Sequence, residues 1–323
     1  MKNFFLVLTI LLSLFFGCVG QEQTEAEQDV MKVVVTLMPQ AEFVESVGGD
    51  KVDVVVLVPP GASPHTYEPT PSQLTQVAEA NLYFKMGSGI EFENAWMDDI
   101  KGVNPSLKIV DCSKNIELIE MNEEEHEEHE EEHEEHEEEH EEHEEEHEEH
   151  EEEHEEHEHS HDGLDPHIWN SPKNVKIIVE NTYQALAAED PENAAYYRSN
   201  ADNYKAKLDA LDSSIEKSLE NKKNRMFIVF HPAWGYFAHD YGLKQVAIEE
   251  AGKEATAQNI QHIIDEANEH DIRIIFASPQ YSTDSANTIA GEINGSVVLI
   301  DPLDKNYIEN MQNIADAFDA SLE

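Results

Sequence analysis

Residues 123–161 contain 26 Glu, 12 His and one Ser, and not a single apolar side chain. A segment of this kind cannot enter a hydrophobic core, so the fold must be built from the residues on either side of it. It holds 26 of the 70 acidic residues and 12 of the 18 histidines in the 323-residue chain, whose formal net charge is -50. Outside the tract, 44 acids face 20 Lys and Arg, an ordinary balance for a soluble protein. A basic stripe is missing, which argues against DNA or RNA as a partner.

Both flanks alternate between two patterns. Before the tract, apolar β-branched runs at Lys32–Met38, Val52–Val58, Leu82–Met86 and Leu107–Val110 are separated by helix-like stretches at Ala41–Val47, Ser72–Ala80 and Glu91–Ile100. After it, Pro172–Ala188 has helical periodicity through Val175, Ile178, Val179, Thr182 and Leu186. Residues 191–221 lack Gly and carry Pro only at 191, with apolar positions recurring from Ala194 to Leu219. That spacing predicts a helix of about 30 residues, roughly 45 Å long. A second alternation follows, with strands at Met226–Phe230, Lys244–Ile248, Ile272–Ala277 and Ser296–Ile300. The helices expected between and after them are Pro232–Tyr241, Ala257–His270, Asp284–Asn294 and Tyr307–Leu322. Strands alternating with helices imply parallel sheets. The expected fold is α/β: two four-stranded parallel-sheet lobes, 30–189 and 223–323, joined by a long rigid helix over 190–222. A ligand site is expected in the cleft between the lobes.

The N-terminus reads as an export signal over 1–18: Lys2 is followed by an apolar run, Phe4 to Phe16, that is short for a membrane span. The run ends at Phe16-Gly17-Cys18, the pattern of a lipoprotein cleavage site with Cys18 as the lipidated residue, although Phe15 stands where such sites usually have Leu. Residues 19–29 would form a flexible tether. The other cysteine, Cys112, is left without a partner and is expected to be a small buried side chain at a strand end.

In open α/β sheets, ligands bind beyond the carboxyl ends of strands. Metal-ligand residues follow strand ends at three places: His65 in Pro59–Pro69, His231 before Pro232, and Asp301 before Pro302. A fourth, His167, lies in Asp165-Pro166-His167-Ile168-Trp169 at the exit from the tract. Flanking prolines stiffen these loops and lower the entropy of a preformed site. A lone His after a strand is more often a surface residue, and an Asp there is usually a turn residue. Together, three His and a carboxylate or water make a four-coordinate zinc site, and imidazole also suits Cu and Ni. His239, His262 and His270 fall on helical stretches and are expected at the surface.

The segments Pro60–Pro69, Asp165–Trp169 and Phe230–Phe237 resemble the zinc-specific solute-binding proteins of high-affinity zinc ABC transporters. The similarity spans roughly 31–320. The resemblance implies two α/β lobes bridged by a long helix, one metal between them, His65, His167 and His231 as its ligands, and no enzymatic activity. It also implies Zn2+ as the transported ligand, a membrane permease with its ATPase as partner, an extracytoplasmic location and a monomeric receptor. Relatives selective for manganese carry a carboxylate where this chain has His231. Pro64 and Ser278 stand where many members have glutamate, which leaves Asp301 or water for the fourth position. The same fold could serve Mn, Ni or Cu. A zinc hydrolase would need a general base such as Glu68 or Asp301.

The tract histidines recur at alternating spacings of three and four: His126, His129, His133, His136, His140, His143, His147, His150, His154 and His157, followed by His159 and His161. On a helix this is one stripe of imidazoles, whereas repulsion between the Glu side chains favours an extended metal-free chain. The composition marks an accessory metal-binding tract. Zinc added to a peptide covering 123–161 is expected to raise its helical circular dichroism; an unchanged spectrum would count against a metal-induced helix.

Overall fold

Each helix between two strands carries the chain back to the edge from which it started, so successive strands pair in parallel. The computed structural model, which describes residues 30–121, 163–249 and 256–322, contains two such sheets. The first joins β1 (Met31–Val35), β2 (Val52–Val56), β3 (Leu82–Lys85) and β4 (Lys108–Asp111) in the order β2-β1-β3-β4. The second joins β5 (Met226–Val229), β6 (Lys244–Ala247), β7 (Ile274–Ala277) and β8 (Ser296–Leu299) in the order β6-β5-β7-β8. Every pairing is parallel. In each order the chain first steps outward and then crosses to the other side. The crevice of a topological switch point therefore opens at the carboxyl ends of β1 and β3, and again at those of β5 and β7.

The ladders stop before the apolar runs do. Leu57 and Val58 donate their N–H groups to Val35 and Thr36 and stay buried while the chain turns away from β2. The helices are α1 (Met38–Gly48), α2 (Pro71–Ala78), α3 (Glu91–Val103), α4 (Pro172–Glu189), α5 (Ala194–Leu219), α6 (Gly235–Tyr241), α7 (Ala257–Glu269), α8 (Asp284–Glu292) and α9 (Tyr307–Ser321). Thr70, Ser171 and Thr256 cap α2, α4 and α7 by accepting from the third backbone N–H beyond them.

The long helix is shorter than its sequence pattern. Pro191–Asn193 form a 3-10 turn, and α5 runs for 26 residues, about 39 Å at 1.5 Å per residue. The expected strut is in fact a shared wall. Tyr197, Ala201, Tyr204, Leu208, Leu211, Ile215 and Leu219 form one buried stripe along it. Near its start, Asn200 donates to the Val47 carbonyl at 3.0 Å and Tyr204 donates to Glu42 at 2.6 Å. Near its end, Asp212 accepts from Tyr241 at 2.9 Å and the Leu219 carbonyl accepts from Arg225 at 2.8 Å. The first lobe supplies Val47 and Glu42, the second Tyr241 and Arg225.

One hydrophobic core runs from Val33 and Phe43 in the first lobe to Phe227, Phe276 and Phe318 in the second. β5 shows how the second sheet divides its side chains. Phe227 and Val229 enter that common core, while Met226, Ile228 and Phe230 enter a smaller one under α7 and α8. Cys112 is buried and free just beyond β4, where burial raises its thiol pKa. Among the described residues no helix is long and apolar enough to cross a membrane. Residues 1–29 and the tract histidines lie outside the described residues.

Phe318 ties α9 to the second sheet. Its ring centroid lies 4.5 Å from Phe227, 4.8 Å from Phe276, 5.1 Å from Phe237 and 5.9 Å from Trp234. Replacing it with Ala is expected to cost about 3–5 kcal/mol, read as a fall in the urea midpoint of the metal-free protein. A loss below about 1 kcal/mol would show that α9 docks by other means.

Candidate metal centre

Three loops bring three imidazoles to one point. His65 comes from the Pro-rich turn after β2, where its backbone N–H donates to Ser63 at 3.3 Å. His167 lies just before a short 3-10 turn, Ile168–Asn170, that leads into α4. His231 lies two residues past β5, after Phe230, whose N–H donates to the Phe276 carbonyl at 2.7 Å. The three rings offer ligand atoms that all lie within 4.8 Å of one another. His167 is 2% exposed and His231 8%, whereas the His65 side chain is 20% exposed.

Each Nδ1 faces a carboxylate. His65 pairs with Glu91 at 2.7 Å, His167 with Asp165 at 2.8 Å and His231 with Glu249 at 2.9 Å. A carboxylate beside Nδ1 favours the tautomer with its hydrogen there and leaves the Nε2 lone pair for a cation. The Nε2 atoms of His167 and His231 approach to 3.2 Å. Two lone pairs at that distance repel unless a cation lies between them. Metal–nitrogen bonds of about 2.0–2.1 Å in a tetrahedron put the corners about 3.3–3.4 Å apart, so the spacing suits zinc.

Burial sets the electrostatics. It pushes His231 down to about 4, with the neighbouring rings adding to the shift and Glu249 opposing it. His231 thus stays neutral to a lower pH than the ordinary histidine value. For Glu91, burial pushes the carboxyl up, but the hydrogen bond and charge of His65 outweigh it and the net shift is downward. The cavity among the rings has a volume of about 10 Å³, room for one water-sized occupant. Gln280 and Tyr281 line it as well.

Asp301, expected as a fourth ligand, does not join the group. Its Oδ1 accepts from the Leu303 N–H at 2.9 Å and from Gln280 Nε2 at 2.7 Å. The first contact is an Asx turn, the ordinary use of an Asp after a strand, and it turns the carboxylate into its own loop. The surface histidines His239, His262 and His270 are exposed as expected. Glu91, Glu249, Gln280 and Tyr281 were not predicted as site residues. Extending the strand-end search to every acid would have reached Glu249, which lies two residues past β6. Glu91 opens α3 beyond the end of β3, where the same search applies.

Close packing fixes the Asp165–His167 pair. A Cβ on Gly235, the first residue of α6, would lie 2.3 Å from Asp165 Oδ2, so only glycine lets the helix start against that carboxylate. Tyr236 donates to the Asp165 carbonyl at 3.0 Å, and Asp165 also accepts from the His167 N–H at 2.9 Å.

Residues 33–321 match the family model of the zinc-uptake complex component A, periplasmic. The high-affinity zinc uptake system protein ZnuA of Bacillus subtilis strain 168 is 32% identical over 312 residues, covering 92% of this chain and 89% of that protein. The zinc-binding lipoprotein AdcA of Streptococcus pneumoniae (strain ATCC BAA-334 / TIGR4) is 28% identical, and the match covers 97% of this chain but 59% of that longer protein. A crystal structure of a ZnuA deletion mutant with zinc bound is 34% identical, with a TM-score of 0.76, and covers 91% of this chain and 99% of that one. The chain belongs to the family of the periplasmic component A of the zinc-uptake complex.

Proposed function

We propose that this protein is the extracytoplasmic receptor that captures Zn2+ and delivers it to the permease of an ABC transporter, itself powered by an ATPase. Three imidazoles, each oriented by its own carboxylate, carry the reading. Nε2 of His65, His167 and His231 would hold the ion, and water would complete the tetrahedron. Gln280 supports the water: among the described residues its Oε1 is buried without a partner, and its side chain lines the same cavity. Zinc is favoured over Mn because the donors are nitrogen rather than oxygen. Residues 30–189 and 223–323 would act as the two binding lobes about the 190–222 helix. Residues 1–18 would serve as the export signal, Cys18 as a lipid anchor and 19–29 as the tether, in keeping with the lipoprotein name of the pneumococcal relative. The receptor would work as a monomer, with the histidines of 123–161 as an accessory zinc collector.

Calorimetric zinc titration of the mature chain, with and without residues 123–161, is expected to show one tight site in both. His231→Ala should weaken that site by at least about 100-fold. A tight site that vanishes with the tract and ignores His231→Ala would overturn the assignment.

Acid should act on the metal-free protein through His231. Its folded pKa of about 4 lies below the unfolded value of about 6.5, so the unfolded chain takes up the proton first. Stability is therefore lost as pH falls from about 6.5 to about 4, by about 3 kcal/mol at most for this group. Urea unfolding of chelator-treated protein at pH 7, 5.5 and 4.5 checks the trend. His231→Asn should remove this part of the slope; an identical slope would exclude His231 as its source.

A further inference from the structure

Tyr281 lies in the loop between β7 and α8, in the second lobe. Its ring stacks on that of His231, with centroids 4.7 Å apart and planes at 27°. Its hydroxyl lies 3.5 Å from Ser63 Oγ, in the first-lobe loop that carries His65. Ser63 Oγ in turn accepts the His65 backbone N–H. One side chain therefore touches ligand-bearing segments of both lobes and also lines the cavity among the imidazoles.

Several other ties between the lobes are of a different kind. Trp169 Nε1 donates to the Pro302 carbonyl at 2.8 Å, and Asn170 donates to the Ala233 carbonyl at 2.8 Å, both buried. Glu42 accepts the Tyr307 N–H at 2.5 Å. These are short bonds backed by the common core. The Tyr281–Ser63 contact, at 3.5 Å, is longer than the usual O–H···O range of about 2.5–3.0 Å. It can part without breaking a strong bond, and Tyr281 itself is only half-buried.

We propose that Tyr281 is the gate of the metal site, a positioning residue whose ring covers the cation beside His231 and whose displacement from Ser63 sets the rates of metal entry and release. The proposal rests on the zinc reading above. A side chain that merely supports a ligand would slow release without affecting entry. A gate lies on the path in both directions, so its removal speeds both.

The test is stopped-flow kinetics on the full mature chain. Release is followed after mixing protein loaded with one equivalent of zinc with an excess of chelator, and entry after mixing metal-free protein with zinc. The phase that disappears in His231→Ala identifies the site and separates it from the tract. In that phase Tyr281→Ala should speed release about tenfold or more and also speed entry, so that affinity falls by less than release rises. Tyr281→Phe, which keeps the ring, should stay within about threefold of the wild type. Tyr281→Leu, which keeps bulk without a ring to stack, should resemble Tyr281→Ala and serves as the second variant if the alanine form unfolds. A wild-type release rate in Tyr281→Ala or Tyr281→Leu, release in Tyr281→Phe as fast as in Tyr281→Ala, or faster release with unchanged entry, would overturn the gate. A wild-type protein with no phase sensitive to His231→Ala would overturn the zinc reading and the gate with it.

Discussion

Three imidazoles can crowd into one small, mostly buried pocket only while they are uncharged. The Nε2 atoms of His167 and His231 are 3.2 Å apart, and two imidazolium rings at that distance would repel strongly in a medium of low dielectric. Burial and the other rings hold His231 neutral. The carboxylates of Glu91, Asp165 and Glu249 then act in two ways. They direct the hydrogen of each ring to Nδ1, and they place negative charge one residue out from where a divalent ion would sit. Neutral ligands alone would leave a buried ion uncompensated, at a cost of several kcal/mol or more. The outer carboxylates offset that cost without occupying the coordination sphere.

Such a site needs walls that do not give, and the fold supplies them from both lobes. α5 fixes the lobes through one buried stripe, and the core behind the site is continuous from Phe43 to Phe318. Asp165 is wedged against Gly235 and held by Tyr236, so the His167 ring has little freedom. Tyr281 is the contrasting element. It reaches both lobes at the site itself, through a stack on His231 and a long polar contact with Ser63.

The sequence made much of this architecture legible because the main signals are periodic. β-branched runs separated by helical spacing specify parallel sheets, and the 3–4 pattern from Tyr197 to Leu219 marks the buried stripe of α5. His65 and His231 could be singled out as proline-flanked histidines after strand ends, and His167 by its proline-flanked motif at the exit from the tract. The carboxylates were harder to read: Glu91 and Glu249 sit among many acids, and only three-dimensional proximity distinguishes them. Asp301 misled for the opposite reason. Its position after β8 is that of a ligand, but the same position suits an Asx turn, and the backbone N–H of Leu303 is the nearer claimant.

The same details separate capture from hydrolysis. Three histidines and a water also describe a catalytic zinc site, and the difference lies in what touches the water. Activation needs a base within reach of that water. Asp301 is committed to Leu303 and Gln280, and Glu68 is exposed and outside the cluster of ligand atoms. The buried acceptor that lines the cavity is the Gln280 amide oxygen, which can receive a hydrogen bond but cannot take the proton at neutral pH. A water held that way would complete a coordination sphere without becoming a nucleophile, in keeping with an ion carried as cargo.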